Sequence, residues 1–337
     1  DSDGTIGCVI QDCFDFIDEI IEDKELSPVD EENIFNKLLK ETSDKRYKDS
    51  NDWQLELLGS CAMLAGTPAL RDKLENQMAS MVKNEKEDSW SSNYFAERIN
   101  LIRYHMIEQH DGSKKAQEFI KQNLQYSEFR EMAIESAMRK KDYDAVIKLT
   151  LDGEEQDKDK PGLVNRWKEY RYKAFQLSGR LDEQRAIAMD FILDGSIKYY
   201  TELKQTYNAS EWPAVYPKII FLLEERKKTY QNIYTTILIE EGEKQKLLEH
   251  VQTRPTMLED FYKQLVPEYQ DEVYALFVQY IEQSAARAGN RKDYQRVCAI
   301  IRNLKKAGGK EQALEIKKKL YFQYATRPAF RDELSKV

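Results

Sequence analysis

Three histidines are the first candidates for chemistry in this chain, but their spacing does not suit it. His105 and His110 are five positions apart, which turns them about 140° away from each other on an ideal helix. His250 stands alone beside Glu249. Because metal ligands or an acid–base pair must converge, we expect ordinary surface or packing roles for all three histidines.

The four cysteines, Cys8, Cys13, Cys61 and Cys298, also lack a reactive pattern. Their spacing matches neither a zinc site nor a disulfide framework. Cys298 lies within an apolar run at 297–301. We expect small buried hydrophobic side chains at Cys8, Cys13 and Cys298 instead of nucleophiles. Scattered cysteines in a chain of this size also predict a reducing, cytoplasmic location.

An acidic segment near the beginning could offer oxygen ligands to a hard cation, because several of its carboxylates share one helix face. Its members are Asp12, Asp15, Asp18, Glu19, Glu22 and Asp23. No glycine-containing loop accompanies them, so the pattern favours a solvated helix face. Phosphate-binding loops, nucleophile elbows and dinucleotide-binding glycine fingerprints are missing from the sequence. We therefore predict no catalytic, cofactor-binding or metal-binding residue, no cofactor, and a protein that is not an enzyme.

Basic and aromatic residues alternate at 166–173, and short cationic runs occur at 226–228 and 317–319. Such residues could bind single-stranded nucleic acid by stacking on bases and contacting phosphates. The alternative is that Trp167 and Tyr170, together with Ala174, face the core while the cations extend into solvent. We favour this alternative, because a formal net charge of -8 gives no overall attraction to phosphate.

The elements that would position these residues are predicted to be helices. Charged residues make up 33% of the chain and hydrophobic residues 41%, while 13 Gly and 8 Pro leave few turn signals. Ser27 and Pro28 form a helix start, with a cap and a first-position proline. The phrase PALRDKL at 68–74 returns as PAFRDEL at 328–334, and 253–259 is a looser copy. Each copy predicts a helix start.

Apolar residues recur at helical spacing along nearly the whole chain. The predicted helices cover 8–22, 28–42, 50–64, 68–84, 91–109, 114–124, 127–140, 142–151, 162–178, 181–194, 196–206, 210–226, 228–239, 242–251, 255–264, 267–288, 291–306, 310–325 and 327–336.

Short phrases recur where one helix gives way to the next, at 141–146, 180–184 and 292–297. They are typical of helical hairpins, whose repeats span about 34 to 47 residues. We therefore predict an all-α, right-handed α-solenoid of degenerate helical-hairpin repeats, similar in style to TPR and HEAT arrays. The predicted organisation has N-terminal repeats at 1–152, an exposed loop at 153–162, and C-terminal repeats at 163–337 that continue the first set.

A set of residues in the last two thirds of the chain carries a resemblance to a known family. They are Gly195, Tyr199, Tyr200, Leu203, Lys204, Glu211, Trp212, 291–294, Gly308, Gly309 and 324–334. On these residues, the chain from Tyr126 onward resembles the carboxy-terminal helical region of bacterial SWIM zinc-finger proteins. That family carries Cys-x-Cys and Cys-x-His upstream, thought to bind nucleic acid or protein. Neither motif occurs here, so the resemblance implies no zinc role for this chain.

The function hypothesis follows from repeated helices without a reaction centre. We expect a non-catalytic scaffold that binds a protein or peptide partner on a concave surface. The acidic start at 1–4, which lacks Met, suggests the C-terminal part of a longer protein. The alternative is a nucleic-acid-binding accessory region that acts with a missing upstream zinc-finger module. No membrane span is expected, because the long apolar run that it needs is missing.

Overall fold

A computed structural model describes residues 5–22, 26–47, 51–84, 90–226 and 231–337 of the chain. Within these ranges the regular structure is entirely helical, with 18 α-helices, two short 3₁₀ turns and no strand. The all-α prediction is thus confirmed for the described residues. None of the described helices combines the length and the apolarity that crossing a membrane requires. The chain divides into two compact units, Asp1–Gln184 and Arg185–Val337.

Nine helices lie wholly in the first unit among its described residues. They are α1 (Thr5–Glu22), α2 (Pro28–Glu41), α3 (Asn51–Leu64), α4 (Pro68–Asn84), α5 (Trp90–Asp111), α6 (Ser113–Gln122), α7 (Ser127–Arg139), α8 (Tyr143–Gln156) and α9 (Pro161–Ser178). A tenth helix, α10 (Leu181–Leu193), begins just before the end of this unit. Neighbours in sequence pack against each other from α2 to α9.

The second unit takes most of α10 and eight further helices. They are α11 (Ile197–Gln205), α12 (Trp212–Glu225), α13 (Gln231–Glu240), α14 (Lys244–Thr253), α15 (Leu258–Arg287), α16 (Arg291–Lys306), α17 (Lys310–Gln323) and α18 (Pro328–Ser335). Contacts again join successive helices from α12 to α18.

Proline begins an α-helix at the two closer copies of the repeated phrase and at the start predicted for Ser27 and Pro28. Pro68 and Pro328 are the first residues of α4 and α18, and Pro28 is the first residue of α2. At α2 the Ser27 hydroxyl accepts a hydrogen bond from the backbone N–H of Asp30 over 3.2 Å. Proline suits this position because its missing N–H would have no partner in the first turn.

The region around Pro255 and Pro267 differs from the prediction of two separate helices at 255–264 and 267–288. Pro255 begins a 3₁₀ turn, and α15 then continues to Arg287 with Pro267 inside it. The backbone leaves helical geometry at Tyr269, where φ is -126° and ψ is 44°. A proline within a helix removes one hydrogen bond and displaces the preceding turn, which explains a kink without a full break.

The predicted exposed loop at 153–162 is shorter than expected. Helix α8 continues through Gln156, Gly153 is buried in it, and α9 begins at Pro161. Asp157, within the turn that remains, is only 5% exposed. The charged composition suggested solvent exposure, but one of these charges is bound inside the protein. The division between the two units lies after Gln184, away from the predicted loop.

Among its described residues, the first unit has three apolar clusters that hold helices together. The largest joins α2 to α5 around the fully buried Phe35, Leu58 and Leu74. A second centres on Phe129, which packs against Leu101 and Ile120. The third joins α7, α8 and α9 and consists of Ile134, Ala137, Val146, Trp167 and Ala174. The last two clusters fix α6, α7 and α8 beside one another.

Candidate functional site

A groove of about 440 Å³ lies between α6, α7 and α8 in the first unit. Helix α7 packs against both α6 and α8, so it lies in the middle of the groove. There it presents Ala133, Ser136 and Ala137, at intervals of three and one residues. Because these side chains are small, the middle helix leaves open space that larger residues would fill.

The two outer helices supply the apolar sides of the groove. Ile120 and Leu124 line it from α6 and the turn that follows, and Ala145 and Leu149 line it from α8. Apolar sides around a small-residue floor match the general build of ligand grooves, in which hydrophobic lining provides most of the contact area. A helical or extended segment with apolar anchors fits such a surface.

The rim of the groove is charged. Lys121, Lys140 and Lys148 extend from its three helices, together with Asp142 and Asp152. Asp142 is occupied as the N-cap of α8, where its Oδ1 accepts a hydrogen bond from the backbone N–H of Ala145 over 3.1 Å. In the part of the chain that the structure describes, no carboxylate forms an ion pair with any of the three lysines. Three lysines against two aspartates leave this rim with a small net positive charge.

The α7–α8 turn, at the rim of the groove, is fixed by backbone hydrogen bonds. Lys141 has a φ of 58°, the left-handed conformation that residues other than glycine seldom adopt. Its N–H and that of Asp142 donate to the carbonyls of Met138 and Ala137, which closes the end of α7. This turn reverses the chain within three residues, 140–142, so that Lys140 and Asp142 lie on the same rim.

The beginning of α7 is fixed by a side chain from α5. Glu97 Oε1 accepts hydrogen bonds from Ser127 Oγ at 3.2 Å and from the backbone N–H of Glu128 at 3.0 Å. A carboxylate at this position satisfies an otherwise unpaired N–H and interacts favourably with the helix dipole. The middle helix of the groove is thus anchored at both ends.

A buried ion pair fixes α7 to the α8–α9 turn. Arg130 Nη1 donates to Asp157 Oδ2 at 2.7 Å, and its Nη2 donates to the carbonyl of Leu124 and to Gln156. Trp167 Nε1 donates to the same Asp157 oxygen at 2.9 Å. Each polar group in this network therefore has a partner, as a buried charge requires. We interpret this network as the rigid support of the groove.

The three histidines do not come together in one site. His105 is exposed on α5, and His110 Nε2 lies 3.0 Å from the carbonyl oxygen of Ala62. His250 is buried in α14, where its ring lies 5.1 Å from that of Tyr234. Among the described residues, no group of three or more His, Cys, Asp or Glu side chains is arranged to hold a metal ion.

The prediction of buried cysteines was wrong for Cys8 and Cys13, both of which are exposed on α1. Both lie away from the face of α1 on which Phe14 and Ile21 are turned toward the protein. Cys298 is buried as expected, and Cys61 is buried as well. Burial raises the pKa of the Cys61 thiol to about 12 and that of Cys298 to about 11, which leaves both protonated at neutral pH.

The acidic segment forms an exposed face of α1 except at Asp18, whose Oδ1 accepts a hydrogen bond from Ser60 Oγ at 2.6 Å. Asp12, Asp15, Glu19 and Glu22 are exposed, while Asp23 lies outside the described residues.

Residues 166–173 form part of α9, and several of their side chains contact other residues of the first unit. Trp167 is fully buried, so it has no free ring face for a base. Arg166 Nη1 donates to Glu131 Oε2 at 2.8 Å. The expectation that the cations extend into solvent fails for Arg171, which is 9% exposed and paired with Glu154. Lys227 and Lys228 lie outside the described residues.

Sequence reasoning missed a tyrosine–glutamate network in the second unit. Tyr200 Oη and Lys204 Nζ both donate to Glu241 Oε1, over 2.7 and 2.5 Å, and Tyr234 Oη donates to Glu224 over 2.7 Å. Burial raises the pKa of both tyrosines, and the carboxylate partners add to this effect. Burial opposes ionisation of Glu241, but the hydrogen bonds from Lys204 and Tyr200 outweigh it and lower the carboxyl pKa. These groups pair with one another, which is the pattern of a packing network.

No protein-family model, curated protein or solved structure shows a significant match to this chain. The resemblance to the helical region of SWIM zinc-finger proteins stays a prediction.

Proposed function

We propose that this chain is a non-catalytic helical-repeat scaffold of the α-solenoid type, and that it binds a protein or peptide partner in the α6–α8 groove. The observation that carries the proposal is the small-residue surface of α7 between two apolar walls. Repeat proteins use concave surfaces between successive helices in the same way. Cytoplasmic location agrees with the free thiols of the described cysteines.

The partner segment is expected to combine apolar anchors with carboxylates. Apolar side chains would cover Ile120, Ala137 and Leu149, while Asp or Glu side chains would meet Lys121 and Lys148 at the rim. Complementary charge of this kind mainly adds specificity and association rate, while the buried apolar contact supplies most of the affinity.

A peptide-display selection on the full chain tests the proposal. Selected peptides should be enriched in acidic residues beside apolar anchors. Ser136→Trp should weaken their binding about tenfold or more, because the indole would occupy the groove. Lys148→Glu should weaken binding and reduce its dependence on salt. Lys318→Glu, on the exposed surface of α17, is the matched control and should leave binding unchanged.

Two results would contradict the proposal. One is a selection that yields no enriched sequence. The other is a set of peptides whose affinity is the same for the wild-type chain and for a Ser136→Trp chain that retains its helical circular dichroism and its melting temperature.

A further inference from the structure

Helix α1 has one apolar face that is covered by the protein. Phe14 is 6% exposed, and Ile21 packs against the core cluster of α2 to α5. The hydrogen bond from Ser60 Oγ to Asp18 Oδ1 ties the same side of α1 to α3. These contacts fix which side of α1 is turned toward the core, and so which side is left outside.

A second apolar stripe on α1 is open to solvent. Val9, Phe16 and Ile20 are 55%, 62% and 37% exposed, and Cys13 is exposed between them. Their spacings of four, three and four residues place all four on one line along the helix. Single exposed apolar residues are ordinary, but a contiguous stripe on one helix is typical of an interaction surface.

The stripe is continuous with an apolar groove of about 210 Å³ between α1 and α2. Ile20 belongs to both the stripe and the groove, and Ile17, Ile34 and Leu38 complete the apolar lining of the groove. Lys37 is the remaining lining residue. A partner that lies along the stripe can therefore place an apolar side chain into the groove.

Charge identifies the kind of partner. The 18 residues of α1 include five carboxylates and no Lys, Arg or His. Asp12 and Glu19 are neighbours of Phe16 on the helix surface, at four residues before it and three after it. In the described ranges neither carboxylate is ion-paired with a basic side chain. On α1 itself, the stripe is therefore bordered by carboxylates that no described basic side chain pairs, and the cation Lys37 lies across the groove on α2.

We propose that α1 is a docking surface for a basic amphipathic helix, whose apolar residues cover Val9, Cys13, Phe16 and Ile20 and whose Lys or Arg residues meet Asp12 and Glu19. A second copy of this chain is disfavoured as the occupant, because it would bring two helices with five carboxylates each together. The anionic surface of a membrane would be repelled in the same way. This surface is separate from the α6–α8 groove, which attracts the opposite charge.

Binding of synthetic helical peptides to the full chain, measured by fluorescence anisotropy, tests the proposal. The probe has Leu at positions matched to one helix face and Lys elsewhere, and its counterpart has Glu in place of every Lys. The Lys peptide should bind about tenfold or more tightly than the Glu peptide, and its affinity should fall as ionic strength rises.

Variants then locate the binding on α1. Phe16→Ala should weaken the Lys peptide about tenfold, whereas Phe322→Ala, which removes a 77% exposed phenylalanine from α17, should not change its affinity. Glu19→Lys should weaken binding, and Glu315→Lys, on the exposed surface of α17, should do so much less. Ser136→Trp should have no effect, which separates this proposal from the one on the α6–α8 groove.

Three outcomes would overturn the proposal. The first is equal affinity for the Lys and Glu peptides, and the second is an affinity that Phe16→Ala and Phe322→Ala lower equally. The third is a concentration-dependent dimer that sedimentation detects in the wild-type chain and that Phe16→Ala abolishes, because a second copy would then cover the stripe.

Discussion

Asp157 accepts a hydrogen bond from Arg130 at 2.7 Å in a position where only 6% and 1% of their side chains are exposed. The pair joins α7 to the turn after α8, across 27 positions of sequence. The pair stabilises the fold only if both charged groups have all their partners, because two charges removed from water must each find partners inside the protein. Arg130 finds them in Asp157, Gln156 and the carbonyl of Leu124.

Asp157→Asn should therefore be strongly destabilising. The substitution keeps the shape of the side chain but leaves the Arg130 guanidinium buried without its counter-charge, which costs about 3–5 kcal/mol. Asp144→Asn is the matched control, because Asp144 pairs with Arg180 while 79% of its side chain is exposed. That exposed pair contributes about 1 kcal/mol or less. Denaturant unfolding of both variants gives the comparison. Equal losses of unfolding free energy would show that the buried pair contributes no more than the exposed pair.

Two glycines within helices should respond oppositely to alanine. A Cβ atom at Gly153 would lie 2.9 Å from both Arg130 Cδ and Trp167 Cδ1, whereas a Cβ at Gly59 in α3 meets nothing within 4 Å. Alanine is the better helix former by about 1 kcal/mol, so Gly59→Ala should raise the melting temperature. Gly153→Ala should lower it, because displacing Arg130 and Trp167 costs about 1–3 kcal/mol and outweighs the helix propensity. A higher melting temperature in both variants would mean that Arg130 and Trp167 move aside without loss of stability.

The helices themselves were predictable from local signals. Apolar periodicity and first-position prolines such as Pro68 and Pro328 act within a few residues, so the sequence alone contains the information that places them. The kink at Tyr269 was not predicted, although Pro267 was the available signal, because a proline can either end a helix or bend it. Tertiary packing decides between these outcomes.

The supports of the candidate groove were not predictable in the same way. With 60 acidic and 52 basic residues, nothing local distinguishes the Arg130–Asp157 pair from the many exposed pairs. The charged run around Asp157 even suggested an exposed loop. The small residues Ala133, Ser136 and Ala137 were a readable signal for the groove, since they share one helix face. Their significance depended on knowing that α7 has helices on both sides.

Removing the hydroxyl of Tyr216 should not destabilise the second unit. This hydroxyl is buried and has no hydrogen-bond partner within the described ranges, and an unsatisfied buried group costs about 1–3 kcal/mol. Tyr216→Phe should therefore be neutral or stabilising in denaturant unfolding. Tyr200→Phe is the matched comparison and should be destabilising, because it leaves Glu241 without a donor that lies 2.7 Å away. Equal effects of the two substitutions on the free energy of unfolding would contradict the difference in hydrogen bonding between these two hydroxyls.

The four cysteines should divide into two reactivity classes at pH 8. Cys8 and Cys13 are exposed on α1, whereas Cys61 and Cys298 are buried. Burial also raises the pKa of Cys61 to about 12 and that of Cys298 to about 11. Since the thiolate is the reacting species, the native protein should show two thiols that react rapidly with a disulfide reagent, and denaturant should expose the other two.

The raised thiol pKa values also determine how the stability of the fold changes with pH. The unfolded chain releases the Cys61 proton near the ordinary value of 9.0, while the folded chain retains it to about 12. The stability that this difference supplies is complete below pH 9 and is lost as pH rises toward 12. Alkylation of Cys61 should consequently stay slow between pH 8 and pH 10 and accelerate only with global unfolding, which mass spectrometry of quenched samples can follow. Rapid alkylation of Cys61 in the folded protein at pH 8 would show that α3 opens locally around this residue.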